Sequence, residues 1–204
     1  RGVRMIFHIT KYYGWLFLFF RVNRFARFFS SSGTKSCMDY ENEIEDIVER
    51  IENGESQEME VYQDLAGIYH FLYGNTYDYE GQADVAEENA PDKVSRVIDG
   101  GCGTGGLTEI LGKRFPDAEV LGVDLNGAML DIGRENIEHG NVEFREVNIL
   151  DLEEKADVFT FFGTTPHLEK EELRELFDKI NGQLTTDGVF VFDFKSPNVK
   201  KHED

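Results

Sequence analysis

Apolar positions recur along this chain with two different periods. In "EIEDIVERIENG", Ile44, Ile47, Val48 and Ile51 fall at i, i+3, i+4 and i+7. That is one face of a helix, stopped by Asn53-Gly54. "MEVYQDLAGIYHFLYGN" predicts a second helix, with Tyr62, Ala66, Tyr69 and Tyr73 on one stripe and Leu65, Ile68 and Leu72 on the next. A third, short helix is expected over 82–89, ahead of Pro91. Short apolar runs then alternate with helical spacing. Strands are expected at 94–99, 119–124, 142–147, 156–162 and 188–194. Helices are expected at 105–115, closed by Pro116, at 126–138, and over "EKEELRELFDKING", ending at Gly182. Apolar strands alternating with helices predict an α/β fold with a mostly parallel sheet covered on both faces.

The first of these strands runs into "VIDGGCGTGG", residues 97–106, in which five of ten residues are glycine. In a doubly wound sheet, ligands bind beyond the carboxyl ends of the strands, where the strand order switches. Glycine permits φ > 0 and removes the Cβ wall, so a ligand can lie against main-chain N–H groups at the following helix start. The spacing Gly101-x-Gly103-x-Gly105 fits such a turn, and Gly101-x-Gly103-x-x-Gly106 also fits the dinucleotide pattern. Tight strand–helix packing alone would ask for glycines as well. The next strand, "EVLGVD", ends on Asp124, where a carboxylate can accept hydrogen bonds from both hydroxyls of a ribose. Asp124 could instead cap the next helix. Glycine turn and strand-end acid together point to an adenosine-type ligand.

"VIDGGCGTGG" and "VLGVDLNGAML" resemble the class I S-adenosylmethionine-dependent methyltransferases, as do "VNILDL", "FTFFGTTPHL" and "LTTDGVFVFDF" in the same order. The likeness covers about residues 60–196 and is greatest to the small-molecule branch. It implies a Rossmann-like sheet of strand order 3-2-1-4-5, continued in the family by two more strands, one antiparallel, that this sequence is expected to lack. The last apolar strand is then expected to be an exposed, aggregation-prone edge. The resemblance implies S-adenosylmethionine as cofactor. Gly101, Cys102, Gly103 and Gly105 would form the loop that main chain brings close to it. Asp99 would face the methionine ammonium, or else cap the loop; Asp124 would hold the ribose. Leu125 and Met129 would pack near the adenine or be plain core. Asn148-Ile149 stands where the family has an acid and an apolar residue, so Asn148 can accept from the adenine amino group only through its carbonyl oxygen. Phe161 and Phe162 end the fourth strand near the ammonium. Tyr62 lies on a helix resembling the cofactor lid. His167 could take a proton from an acceptor or simply shape the pocket, so the catalytic residue stays unassigned.

Charge divides the chain. Residues 1–38 hold seven Lys/Arg and no acid, while residues 39–204 hold 14 Lys/Arg against all 40 Asp/Glu, a net of −26. The first part is expected to be either non-native sequence ahead of a start at Met38 or an interfacial membrane anchor. Its longest apolar run, residues 12–20, is too short to span a bilayer. The second part is expected to be the methyltransferase domain, with a helical lid over 39–92 and the sheet core over 93–196. Its acid excess repels itself and is screened in concentrated salt, which predicts a protein of a salt-loving cell. It also argues against nucleic acid as partner. Cys37 and Cys102 form no disulfide framework or metal spacing, consistent with the cytoplasm. The partner expected is a small-molecule methyl acceptor. The alternatives are an NAD(P)-binding oxidoreductase and a non-catalytic S-adenosylmethionine-binding remnant.

Overall fold

The computed structural model describes residues 4–8, 66 and 77–193, all within one compact unit of the chain. The helices expected before residue 77, and Tyr62 with them, lie outside the described residues. The described strands are β1 (Arg4–His8), β2 (Arg96–Gly100), β3 (Glu119–Asp124), β4 (Val142–Glu146), β5 (Ala156–Phe161) and β6 (Leu184–Asp193). The helices are α1 (Tyr79–Asn89), α2 (Gly106–Arg114), α3 (Gly127–Asn136) and α4 (Lys170–Gln183). Sheet order is β1-β6-β5-β2-β3-β4, and every pairing is parallel. Numbered among themselves, the five strands from β2 onward stand in the expected 3-2-1-4-5 order, with the switch between β2 and β5.

The expected exposed edge at β6 is corrected. Arg4–His8 pairs with Val189–Asp193 residue for residue, so β6 is an inner strand. The pairing joins segments far apart in sequence, which a local pattern does not reveal.

Period-two alternation divides the core between the two faces. Val97, Val120, Val158, Val189 and Val191 meet Ala83 and Ala86 of α1 and Leu107 and Leu111 of α2. Ile98, Leu121, Phe159, Phe161, Phe190 and Phe192 meet Leu176 and Ile180 of α4. Arg114 of α2 donates to Glu80, Asp84 and Glu87, carboxylates on successive turns of α1, at 2.7–3.0 Å.

Two element starts lie three and four residues ahead of the sequence pattern, and the other boundaries fall within two residues of it. The helix expected from residue 82 starts at Tyr79, because the Asp78 side chain accepts from the Gly81 N–H and caps it. α4 runs through Gly182 to Gln183, whose side-chain amide donates to the Leu152 carbonyl, and β6 begins at the next residue rather than at 188. A tertiary hydrogen bond outweighs the glycine stop signal there.

Candidate functional site

The switch point places the ends of β2 and β5 side by side, and the chain crosses it with a turn that only glycine fits. Gly101, Gly103 and Gly105 have φ of +66°, +55° and +81°. No other residue type adopts positive φ among the described residues. The turn is hung from β3 by the Cys102 N–H on the Val123 carbonyl, 3.0 Å, and closed by the Gly105 N–H on the Cys102 carbonyl, 2.9 Å. Gly105 is the N-cap of α2 and brings no side chain to cap it. The positive end of the helix therefore opens on the turn.

The same glycines also make room for neighbours. A Cβ on Gly105 would lie 2.5 Å from the Phe144 ring, and one on Gly122 or Gly133 would meet that ring at 2.9 or 3.1 Å. Gly101 faces Thr164, and Gly106 faces the ring of Tyr79. Packing thus asks for glycine at the positions that the sequence singled out for ligand approach.

Two strand-end acids frame the turn. Asp99 is 2% exposed and lies beneath it, accepting from the Thr108 and Thr160 hydroxyls, both at 2.7 Å. These two hydroxyls come from α2 and β5, on either side of the turn. Burial raises the Asp99 pKa to about 6 against the lowering effect of the two hydroxyls, with the Asp124 charge adding to the rise. Asp124 is half-buried and reaches across: Oδ2 accepts from the Gly103 N–H at 2.8 Å and Oδ1 from the Asn126 N–H at 2.9 Å. The capping role considered for Asp124 belongs to Asn126, whose Oδ1 accepts from the Met129 N–H.

The remaining residues are arranged around this frame. Leu125 is 52% exposed, the exposed large hydrophobic among the described residues, whereas Met129 is buried at 3%. The Asn148 Oδ1 accepts from the Leu150 N–H and caps a 3-10 turn over Ile149–Asp151. Ile149 packs against the aromatic core face. Phe161 is buried against Gly100. Phe162 is half-buried, and its carbonyl accepts from the Thr164 hydroxyl at 3.2 Å. His167 is exposed in the 3-10 turn Thr165–His167. Burial, with the Asp99 and Asp124 charges, pushes the Cys102 thiol well above its ordinary pKa.

Sequence reasoning missed Thr108, Thr160, Asn126 and Asp193. A threonine two residues after the last turn glycine was the one local signal for the first of these. Among the described residues, no helix is long and apolar enough to cross a membrane, and no group of three His, Cys, Asp or Glu could hold a metal ion.

The residues fit an adenosine cofactor. Each Asp124 oxygen uses one lone pair on a main-chain N–H and keeps another for a ribose hydroxyl. Leu125 offers an apolar surface beside them, and the turn presents bare backbone at a helix N-terminus.

Known proteins are similar to this chain over the same region. A family profile described as "Methyltransferase domain" matches residues 97–188. A malonyl-[acyl-carrier protein] O-methyltransferase of Acetivibrio thermocellus is 31% identical over 130 residues, which cover 58% of this chain and 45% of that protein. An amino pentose methyltransferase of Micromonospora echinaspora, involved in calicheamicin biosynthesis and solved with S-adenosylmethionine bound, shares 28% identity at a TM-score of 0.55. That match covers 64% of this chain and 57% of the other. An S-adenosylmethionine-dependent methyltransferase of Clostridium acetobutylicum shares 27% identity at a TM-score of 0.51, covering 64% and 56%. The chain spans less than half the length of the first curated relatives it matches. The profile match at residues 97–188 spans the glycine turn and runs through the parallel strands from β2 into β6, so the likeness to methyltransferases falls on the sheet and on the site at its switch point.

Proposed function

We propose that this protein transfers a methyl group from S-adenosylmethionine to a small-molecule acceptor. The observation that carries the reading is the link between the glycine turn and the second strand end. The Asp124 carboxylate is fixed by the Gly103 and Asn126 N–H groups and still has lone pairs for a ribose. The bound amino pentose methyltransferase, which shares the sheet, supports the cofactor and the size class of acceptor.

When bound, the cofactor supplies a methyl on a sulfonium, already electrophilic, which leaves the protein little acid–base work. The chain must position and exclude water. Asp124 orients the ribose, and Leu125 covers one side of the base. Asn148 offers its amide at the rim, where an acid would bring charge. Asp99 sets a negative potential under the turn, opposite the cationic end of the ligand. His167 stands exposed beyond β5, in the turn Thr165–His167, where it could accept the proton that a hydroxyl or amine loses on methylation.

The acid excess of residues 39–204 supports a working medium of concentrated salt. The test is calorimetric titration of the full chain in molar KCl. Micromolar binding of S-adenosylmethionine and S-adenosylhomocysteine, with none of NAD, is expected. NAD binding in their place would overturn the reading. A thermal midpoint unchanged between low and molar KCl would remove the salt adaptation alone.

A further inference from the structure

The segment after β5 is held from two sides. Gly163, at φ +70°, donates its N–H to Asp193 Oδ1 at 2.8 Å. Two residues on, the Thr165 hydroxyl donates to the Asp193 carbonyl, also at 2.8 Å. Asp193 is 2% exposed and Thr165 6%. Both anchors are therefore buried at the end of β6. Thr164, between them, faces the other way. Its side chain fills the space that a Cβ on Gly101 would take, with the hydroxyl 3.5 Å from the Gly101 carbonyl and 3.2 Å from that of Phe162. The same residues build the next turn, through the His167 N–H on the Thr164 carbonyl at 3.0 Å. Residues 163–167 thus form a bridge across the switch point. One footing is the last residue of β6 and the other is the glycine turn at the end of β2.

We propose that Asp193 is a positioning residue: it holds the 163–168 segment against the glycine turn, so that occupation of the cofactor site sets the wall on which His167 is carried. The inference rests on the reading of the site as a methyltransferase site. The part of the Asp193 side chain in this bridge is an acceptor oxygen at the Gly163 N–H. Asparagine can therefore replace it and alanine cannot. The bond is part-buried, and a Gly163 N–H that loses this acceptor must rearrange toward water.

The test is amide hydrogen exchange on the full chain, with and without S-adenosylhomocysteine, in wild type, Asp193→Asn and Asp193→Ala. In wild type, the nucleoside is expected to slow exchange at least about tenfold in both 101–106 and 163–168. Asp193→Ala should keep the first response and lose the second, and Asp193→Asn should restore it. Equal protection of 163–168 in wild type and Asp193→Ala overturns the proposal, as does an Asp193→Asn variant no better than alanine. If wild type responds in neither segment, the methyltransferase reading fails instead. The positioning role is then decided without ligand: faster exchange of 163–168 in Asp193→Ala sustains it, and unchanged exchange overturns it.

Discussion

The turns after β2 and β3 stand side by side and solve the same problem in opposite ways. The first places three residues in left-handed backbone and leaves α2 without a side-chain cap. The second has no positive φ and caps α3 with Asn126. Their acids differ in step. Asp99, under the first turn, is closed off from water and satisfied by two threonine hydroxyls. Asp124, at the second, is half-open and satisfied by main-chain N–H groups from both turns. A strand-end carboxylate in this fold is thus not one kind of object. The closed one is a cost to folding at neutral pH, and the open one is a tie between turns with capacity to spare.

The largest effect is expected at the turn itself. Gly105→Ala adds a left-handed non-glycine residue, about 1–2 kcal/mol, and overpacks Phe144, about 1–3 kcal/mol. Urea unfolding should show a loss of about 2–5 kcal/mol for the two together. A loss below 1 kcal/mol would mean that the turn is not glycine-bound by packing.

The next is expected at Asp99. Its folded pKa of about 6 lies above the ordinary 3.8, so the folded state binds the proton more tightly than the unfolded state does. Stability from this group is complete below about pH 3.8, falls as pH rises, and is at its lowest above about pH 6. The penalty at neutral pH is about 3 kcal/mol, from 1.36 kcal/mol per pKa unit. Asp99→Asn should therefore be more stable at pH 7 and lose the slope between pH 4 and 6. Unfolding curves at four pH values check it, and an unchanged slope would place the titration elsewhere.

Asp124→Ala should behave in the opposite sense. It should weaken S-adenosylhomocysteine binding by about 1.5–3 kcal/mol, or roughly 10–100-fold, and also lose stability, because two N–H groups lose their acceptor. If Asp99→Asn and Asp124→Ala shift stability in the same direction, the contrast between the two acids fails.

Much of this site was legible in the sequence because its signals are local. "EVLGVD" is β3 to the residue, and the glycine spacing located the turn. What was not legible joins distant positions. Thr160 reaches Asp99 across 61 residues, and Phe144 sits under glycines from three other elements. Arg4–His8 belongs to a segment whose basic, aromatic composition sets it apart from the acidic remainder. Its place beside β6 depends on backbone pairing that composition does not encode. Thr164 and Asp193 were invisible for the same reason: each acts through a main-chain group of another element.

The Phe144 ring has a consequence for how this sequence can change. Gly105, Gly122 and Gly133 share this neighbour, so their tolerances are partly linked, although Gly133 also faces the Thr104 carbonyl at 3.2 Å. Shrinking the ring should release Gly133, whose obstacle is mainly space. It should leave Gly105 locked, because its backbone sign is wrong for any side chain. Phe144→Leu is expected to recover part of the stability lost in Gly133→Ala and almost none of that lost in Gly105→Ala. Drift at this site is therefore ordered: loss of the aromatic eases a substitution at 133, which the Thr104 carbonyl still bounds, while position 105 has no permissive background among its neighbours.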